Sequence, residues 1–173
     1  VAPDQIKLSF AIATDADAAA LASLHCSVAE KLTTRYGHGP WSWVPTEKGV
    51  LRDLGRPQFV RILVARKGSG IVGTLRLATK KPWAIDTAYF SSAQRPLYLT
   101  SMAVSPDLQG KGIGRRLLHE AEAVARGWPG DAIRLDAFDS DAGAGPFYAK
   151  CGYREVGRVT YRKAPLVYFE LQM

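Results

Sequence analysis

The sequence predicts an α/β fold with one open sheet that mixes parallel and antiparallel strands. Three observations carry that prediction. Apolar periods of two and of 3.6 residues succeed one another along the 173 residues in the order β-α-α-β-β-β-α-β-α-β-β, which gives about seven strands and about four helices. Hairpin links and helical crossovers are mixed within that order, so the sheet is not doubly wound. The composition, 47% apolar and 23% charged, is that of an ordinary globular chain, and no repeat, low-complexity tract or linker divides it. Residues 1–173 therefore read as a single domain large enough for a real core.

Ile6, Leu8, Phe10 and Ile12 alternate with Lys7, Ser9 and Ala11, the pattern of a half-buried strand. Thr14 is the expected cap of the first helix, with Asp15 and Asp17 in the first turn where the helix dipole favours acids. Leu21, Leu24, Val28 and Leu32 recur at three and four and carry that helix to about Lys31. His25 falls on or beside this stripe, where packing is the expectation rather than catalysis. Residues 33–45 contain Gly37, Gly39, Pro40 and Pro45 together with Tyr36, Trp41 and Trp43. Such an aromatic loop is either a lid over a pocket or a pad on the core. A short helix from Thr46 to Leu54 follows, stopped by Gly55.

Phe59–Arg66 and Ile71–Thr79 form a predicted hairpin across Lys67-Gly68-Ser69-Gly70. Gly73 lies in mid-strand and marks a bulge or a close approach. Residues 81–96 have no clear period and are a candidate acceptor loop. Leu97–Val104 is a strand, and Ile113 to Ala125 an amphipathic helix ended by Gly127 and Pro129. Ala132–Phe138 is the next strand, followed by a short helix around Ala142 to Cys151. Two strands, Tyr153–Arg162 and Leu166–Gln172, close the chain through Lys163-Ala164-Pro165.

Between the strand at Leu97 and the helix at Ile113 lies Gln109-Gly110-Lys111-Gly112-Ile113-Gly114-Arg115, with three alternate glycines. Glycines let the backbone approach a ligand closely, and the first amides of a helix point outward as unpaired donors. A strand feeding such a turn makes a phosphate cradle, and Lys111, Arg115 and Arg116 add charge. The P-loop pattern fails because Gly112 follows Lys111. The dinucleotide fingerprint fails because no third glycine follows Gly112-Ile113-Gly114 at the required place.

The pattern that fits is Gln-x-x-Gly-x-Gly, met by Gln109, Gly112 and Gly114, which resembles the coenzyme A signature of the GNAT family of N-acetyltransferases. A second stretch, from Asp141 through Ala144, Phe147, Tyr148 and Lys150 to Gly152-Tyr153, is similar to another motif of that family, with Asp141 in place of the usual Asn. The resemblance implies a GNAT-like mixed sheet splayed between its two central strands. It also implies a pantetheine arm lying in that gap, met by main-chain groups of Met102, Ala103 and Val104. Gln109, Gly110, Lys111, Gly112, Ile113, Gly114 and Arg115 would hold the pyrophosphate, and Asp141, Ala144, Phe147 and Lys150 the arm and adenylate side. A carboxylate at Asp141 cannot donate as an amide does and would repel nearby phosphate, which leaves two readings of it open, a cofactor contact or a cap on the short helix.

The implied reaction is acetyl transfer from acetyl-CoA to a primary amine, with Tyr148 as general acid for the departing thiolate. The strand from Leu97 to Val104 has no carboxylate to act as base. Thr100 or Ser101 holding a water, His38, and Asp86 are the alternatives. Few carboxylates in the candidate acceptor segments favour a small acceptor with its own carboxylate or a single amine. A protein N-terminus or lysine, and a non-catalytic acyl-CoA sensor, are the competing readings.

Cys26 and Cys151 have neither metal spacing nor a disulfide framework and are expected as buried thiols; no metal is expected. The net charge of +7 is scattered, with no basic run longer than two and no interleaved aromatics, so nucleic acid is not expected as a partner. No apolar run reaches the ~20 residues of a membrane span. Val1-Ala2-Pro3-Asp4 shows no signal-peptide pattern, and the expected location is the cytoplasm. The expected partners are a small-molecule amine and, at most, a second copy in a homodimer.

Overall fold

A computed structural model describes residues 6–173; Val1–Asp4, read above for a signal peptide, lie outside them. In chain order the elements are β1 (Ser9–Ile12), α1 (Ala18–Tyr36), α2 (Glu47–Leu54), β2 (Val60–Lys67), β3 (Gly70–Ala78) and β4 (Pro96–Val104). Then come α3 (Ile113–Gly127), β5 (Ala132–Phe138), α4 (Gly145–Lys150), β6 (Arg154–Tyr161) and β7 (Ala164–Gln172). The order is the one the periodicity predicts. The strands form one sheet, β1-β2-β3-β4-β5-β7-β6, antiparallel throughout except for β4 with β5.

Alternation of side chains across the strands puts apolar core on both faces of the sheet. Leu75, Leu77, Leu97, Leu99, Ile133 and Leu135 meet the apolar stripe of α3, Ile113, Leu117, Leu118, Ala121 and Ala125. On the opposite face Ala18 and Leu21 of α1 and Val50 of α2 meet Val60, Ile62 and Val64 of β2. Gly73 is explained by the first of these cores. A β-carbon there would lie 2.7 Å from Leu117 Cδ1 and 3.2 Å from Ile113 Cγ2, so α3 sits against bare backbone.

The parallel pair is where the sheet opens. β4 and β5 are in register only from Pro96↔Ala132 to Tyr98↔Arg134, although both strands continue beyond. The last rung is anchored by a buried ion pair, with Arg134 Nε donating to Glu170 Oε2 at 3.0 Å. Beyond it, β4 carries a bulge: between the pairs Thr74↔Ala103 and Arg76↔Thr100, two β4 residues, Ser101 and Met102, lie opposite one of β3, Leu75, with Ser101 at φ 51°. A bulge strengthens the local twist and re-aims the strand, here away from β5.

Several sequence expectations are corrected. α1 continues past Lys31 to Tyr36, because Val28, Leu32 and Tyr36 extend the i, i+4 stripe until Gly37 at φ 79°. Cys26 is exposed, one residue off that stripe, and Cys151 is half-buried just after α4. The β6–β7 link is Arg162-Lys163, with φ 46° and 67°, and Ala164 and Pro165 belong to β7. Two left-handed residues match the twist of paired strands, and neither is a glycine that would advertise the turn. The 81–96 segment packs on β7: Tyr168 Oη donates to the Ala84 carbonyl and accepts from Asp86 N at 3.1 Å. It lines neither the cofactor cleft nor the acceptor cavities described below.

Candidate active site

The residues between β4 and α3 form one end of a cleft. Gly110 and Gly112 take φ values of 77° and 80°, a left-handed backbone that favours glycine. Gly112 precedes the first turn of α3, whose opening amides no side chain caps among the described residues. Gly114 lies on the helix where a β-carbon would come within 3.0 Å of Phe147 Cζ and 3.3 Å of Met102 Cε. Gln109 Nε2 donates to the Val104 carbonyl (3.1 Å), and Lys31 Nζ reaches from α1 to Gln109 Oε1 (3.4 Å) and the Pro106 carbonyl (3.2 Å). The turn is thus tied both to the strand it leaves and to α1.

From this turn a cleft of about 520 Å³ runs along the open edge of β4. Met102, Ala103, Val104, Gln109, Gly110, Gly112, Ile113, Gly114, Arg115, Ala144, Phe147 and Lys150 line it, and Tyr148 stands at its inner end. Two of the expected cofactor residues are missing. Lys111 is exposed on the outside of the turn. Asp141 is exposed in a turn four residues before α4, so it neither borders the cleft nor caps the helix, whose N-cap is Ala144. Arg116 also turns away: it donates to the Ile6 carbonyl (2.8 Å) and stacks on Phe10, fastening β1.

Tyr148 joins the cleft to a second cavity of about 290 Å³, with which it shares Met102 and Ala103. Its ring packs against Phe147, Tyr153 and Phe169, and its hydroxyl donates to Met102 Sδ at 3.6 Å. Burial, reinforced by the nearby Asp136 charge, raises the phenol far above its usual pKa, so it keeps its proton throughout the physiological range.

The same cavity is lined by Asp136 of β5, two residues beyond the last β4–β5 rung, where β4 has left that strand. Burial raises its carboxyl above the usual aspartate range. His25 also lines this cavity, and burial lowers its imidazole pKa, which favours the neutral ring. Thr100 and Ser101 border it from the β4 bulge. The aromatic loop is its lid: Trp41 packs edge-on against Phe138, with its indole NH donating to the Gly37 carbonyl at 2.9 Å, and Trp43 is 73% exposed above the opening. A third cavity, of about 300 Å³, continues past His25, Trp43, Pro45 and Ser101 to α2 and Arg76.

Residues 27–153 match the sequence profile of the Acetyltransferase (GNAT) family, nearly three quarters of the chain. The chain belongs to the GNAT family. No functionally curated protein matches it by sequence. Solved structures share the GNAT fold at low identity. PaiA N-acetyltransferase from Thermoplasma acidophilum, in complex with coenzyme A, is 17% identical with a TM-score of 0.72, covering 96% of this chain and 99% of that one. The Salmonella typhimurium protein yncA, solved with acetyl-CoA, is 18% identical with a TM-score of 0.69, covering 95% and 93%. An aminoglycoside 6'-acetyltransferase type Ii is 17% identical with a TM-score of 0.68, covering 95% and 96%.

Within this GNAT chain the expected donor-side residues come together, apart from Lys111 and Asp141. The expected bases do not all do so. Thr100 and Ser101 reach the acceptor cavity, but His38 is exposed in the turn after α1 and lines none of the three cavities. Asp86 caps the 3-10 turn at residues 87–89, accepting from Ala88 N at 3.0 Å. The sequence reading did not single out Asp136, and His25, expected beside the α1 stripe, lies there and also borders the acceptor cavity. The available signal for Asp136 was a lone carboxylate in an apolar strand, Ile133-Arg134-Leu135-Asp136-Ala137, following the first family motif.

Proposed function

We propose that this GNAT chain transfers the acetyl group of acetyl-CoA to a primary amine of a small molecule while both are bound. The observation that carries the reading is that the cofactor cleft and the acceptor cavity share a wall that includes a buried, protonated side chain, Tyr148. The lining fits an extended, anion-tailed donor: an uncapped helix start and left-handed glycines at one end, and an unpaired strand edge along the middle. Acetyl-CoA supplies a thioester carbonyl for the amine to attack.

The chain's own groups divide the remaining work. Asp136 takes the proton that the amine must lose, since an ammonium has no lone pair; its raised pKa makes it a stronger base than an ordinary aspartate. The β4 edge near Met102 and Ala103 offers main-chain amides to the negative charge that develops on the carbonyl oxygen. Tyr148 gives a hydrogen bond, and as the carbon–sulfur bond breaks a proton, to the departing sulfur. His25 and the Trp41–Trp43 lid close the acceptor side, and the small size of the two cavities, about 290 and 300 Å³, supports a small molecule over a protein chain.

Tyr148→Phe tests the assignment. It is expected to lower kcat at least ~100-fold, the scale of general acid–base catalysis, with the affinity for coenzyme A changed less than about twofold. An unchanged kcat removes Tyr148 from the reaction. Binding of acetyl-CoA with no turnover by the unaltered chain supports the sensor reading instead.

A further inference from the structure

We propose that the acceptor carries an anionic group, a carboxylate or phosphate, bound by Arg52, Arg56 and Arg76 at the α2 end of the acceptor cavities. The inference rests on the acetyltransferase reading for what the cavities hold. Three guanidiniums and one carboxylate, Asp53, line that end, a surplus of two positive charges. The carboxylate is already engaged. Asp53 Oδ2 accepts from Arg76 Nε at 2.7 Å and Asp53 Oδ1 from Arg76 Nη2 at 3.3 Å.

That contact fixes Arg76 with its remaining edge toward the reaction. Its Nη1 donates to Thr100 Oγ1 at 3.3 Å, beside the β4 bulge. Arg52 and Arg56 are exposed at the mouth, and among the described residues neither makes a salt bridge. Arg52 lies in the last turn of α2 and Arg56 two residues past its end, so two like charges border one cavity, a repulsion that a bound anion relieves. Guanidiniums suit carboxylate and phosphate because their donors form a planar fork.

The opposite end of the connected space has the contrary character. There Asp136 and Tyr148 face the first cavity, with no arginine or lysine in its lining. The joint between the ends is apolar and half-polar surface: His25, Trp43, Pro45 and Ser101. A molecule with an amine at one end and an anion at the other spans this polarity in one orientation, amine toward Asp136. A polyamine or aminoglycoside, cationic along its length, meets the arginines with the wrong sign.

The test measures thiol release at saturating acetyl-CoA for matched acceptors. α-Amino acids, β-alanine and 4-aminobutyrate are each compared with their carboxamides, phosphoethanolamine with ethanolamine, and spermidine is included. The expected result is at least a tenfold higher kcat/KM for the anionic member of a productive pair, expressed in KM. The carboxylate and phosphate arms tell which anion is preferred. The doubly substituted Arg52→Glu, Arg56→Glu chain should lose that preference or invert it. Equal or better turnover of the neutral member, or a preference that survives the double substitution, overturns the inference.

If no amine releases thiol, the acetyltransferase reading fails on its own. Calorimetric titration of the same amino acids and phosphoethanolamine into the coenzyme A-bound protein then decides the inference. Tighter binding of the anionic member, lost in the double variant, supports it; no difference between members overturns it.

Discussion

Asp136 and Tyr148 are both pushed by burial toward their protonated forms, and the proposed reaction uses them in opposite senses. For Tyr148 the shift preserves a proton donor. For Asp136 it creates a base at the expense of stability. The folded carboxyl holds its proton more tightly than the unfolded one, so the native state binds more protons above the unfolded value of ~3.9. Stability therefore falls as pH rises from there through the raised folded pKa, and stays lower above it. Asp136→Asn should raise the melting temperature at pH 7 while lowering kcat by ~100-fold or more, and the stability gain should vanish near pH 3. Thermal melts at the two pH values with initial rates check both halves. Tyr148 was legible because it belongs to a spaced motif. Asp136 was not, because its exposure depends on a strand departing from its neighbour. His38 has suitable intrinsic chemistry, but only the fold shows that Gly37 ends α1 and leaves it outside the site.

Elements show a division between glycines that shape the ligand turn and a glycine that admits a helix. Gly112→Ala places a β-carbon at φ 80°, a strain of about 1–2 kcal/mol, at the mouth of the cofactor cleft. Relief of that strain re-aims the turn, and the expected effect is a weaker coenzyme A affinity, by roughly tenfold for a strain of this size. Gly73→Ala instead drives a β-carbon into Leu117 and should cost about 1–3 kcal/mol of stability, with coenzyme A affinity largely kept. Calorimetry and thermal melts on the two variants separate the effects. The alternate glycines and the α3 stripe were readable directly from spacing. The β4 bulge was not: Leu97–Val104 is a largely apolar run without glycine, asparagine or aspartate, and nothing in it marks Ser101 for a positive φ. The Arg162-Lys163 turn is hidden for the same reason.

The whole molecule is a sheet held shut at one end and open at the other. The element order was legible because each segment keeps a clear period, and the family motifs implied the splay. The polar cluster at the fork required the fold: Arg134 and Glu170, with side chains 6% and 1% exposed, pair across β5 and β7 beside the last β4–β5 rung, and Arg134 Nη1 donates across that rung to Tyr98 Oη at 3.5 Å. Arg134 also donates to the Ser91 carbonyl at 2.6 Å, joining the 81–96 segment to that point. Glu170→Gln leaves a buried guanidinium without its counter-charge and should cost about 3 kcal/mol or more, a fall of roughly 6–12 °C in melting temperature. The acceptor side was least legible because its walls come from α1, α2, β3, β4 and β5, brought together only by folding. The most direct measurement is thiol release from acetyl-CoA by the purified chain across a broad panel of small amines, with acetylated product identified by mass. Stoichiometric thiol and N-acetylated amine for at least one acceptor is the predicted result. Acetyl-CoA binding with neither thiol nor acetylated amine for any acceptor would contradict it.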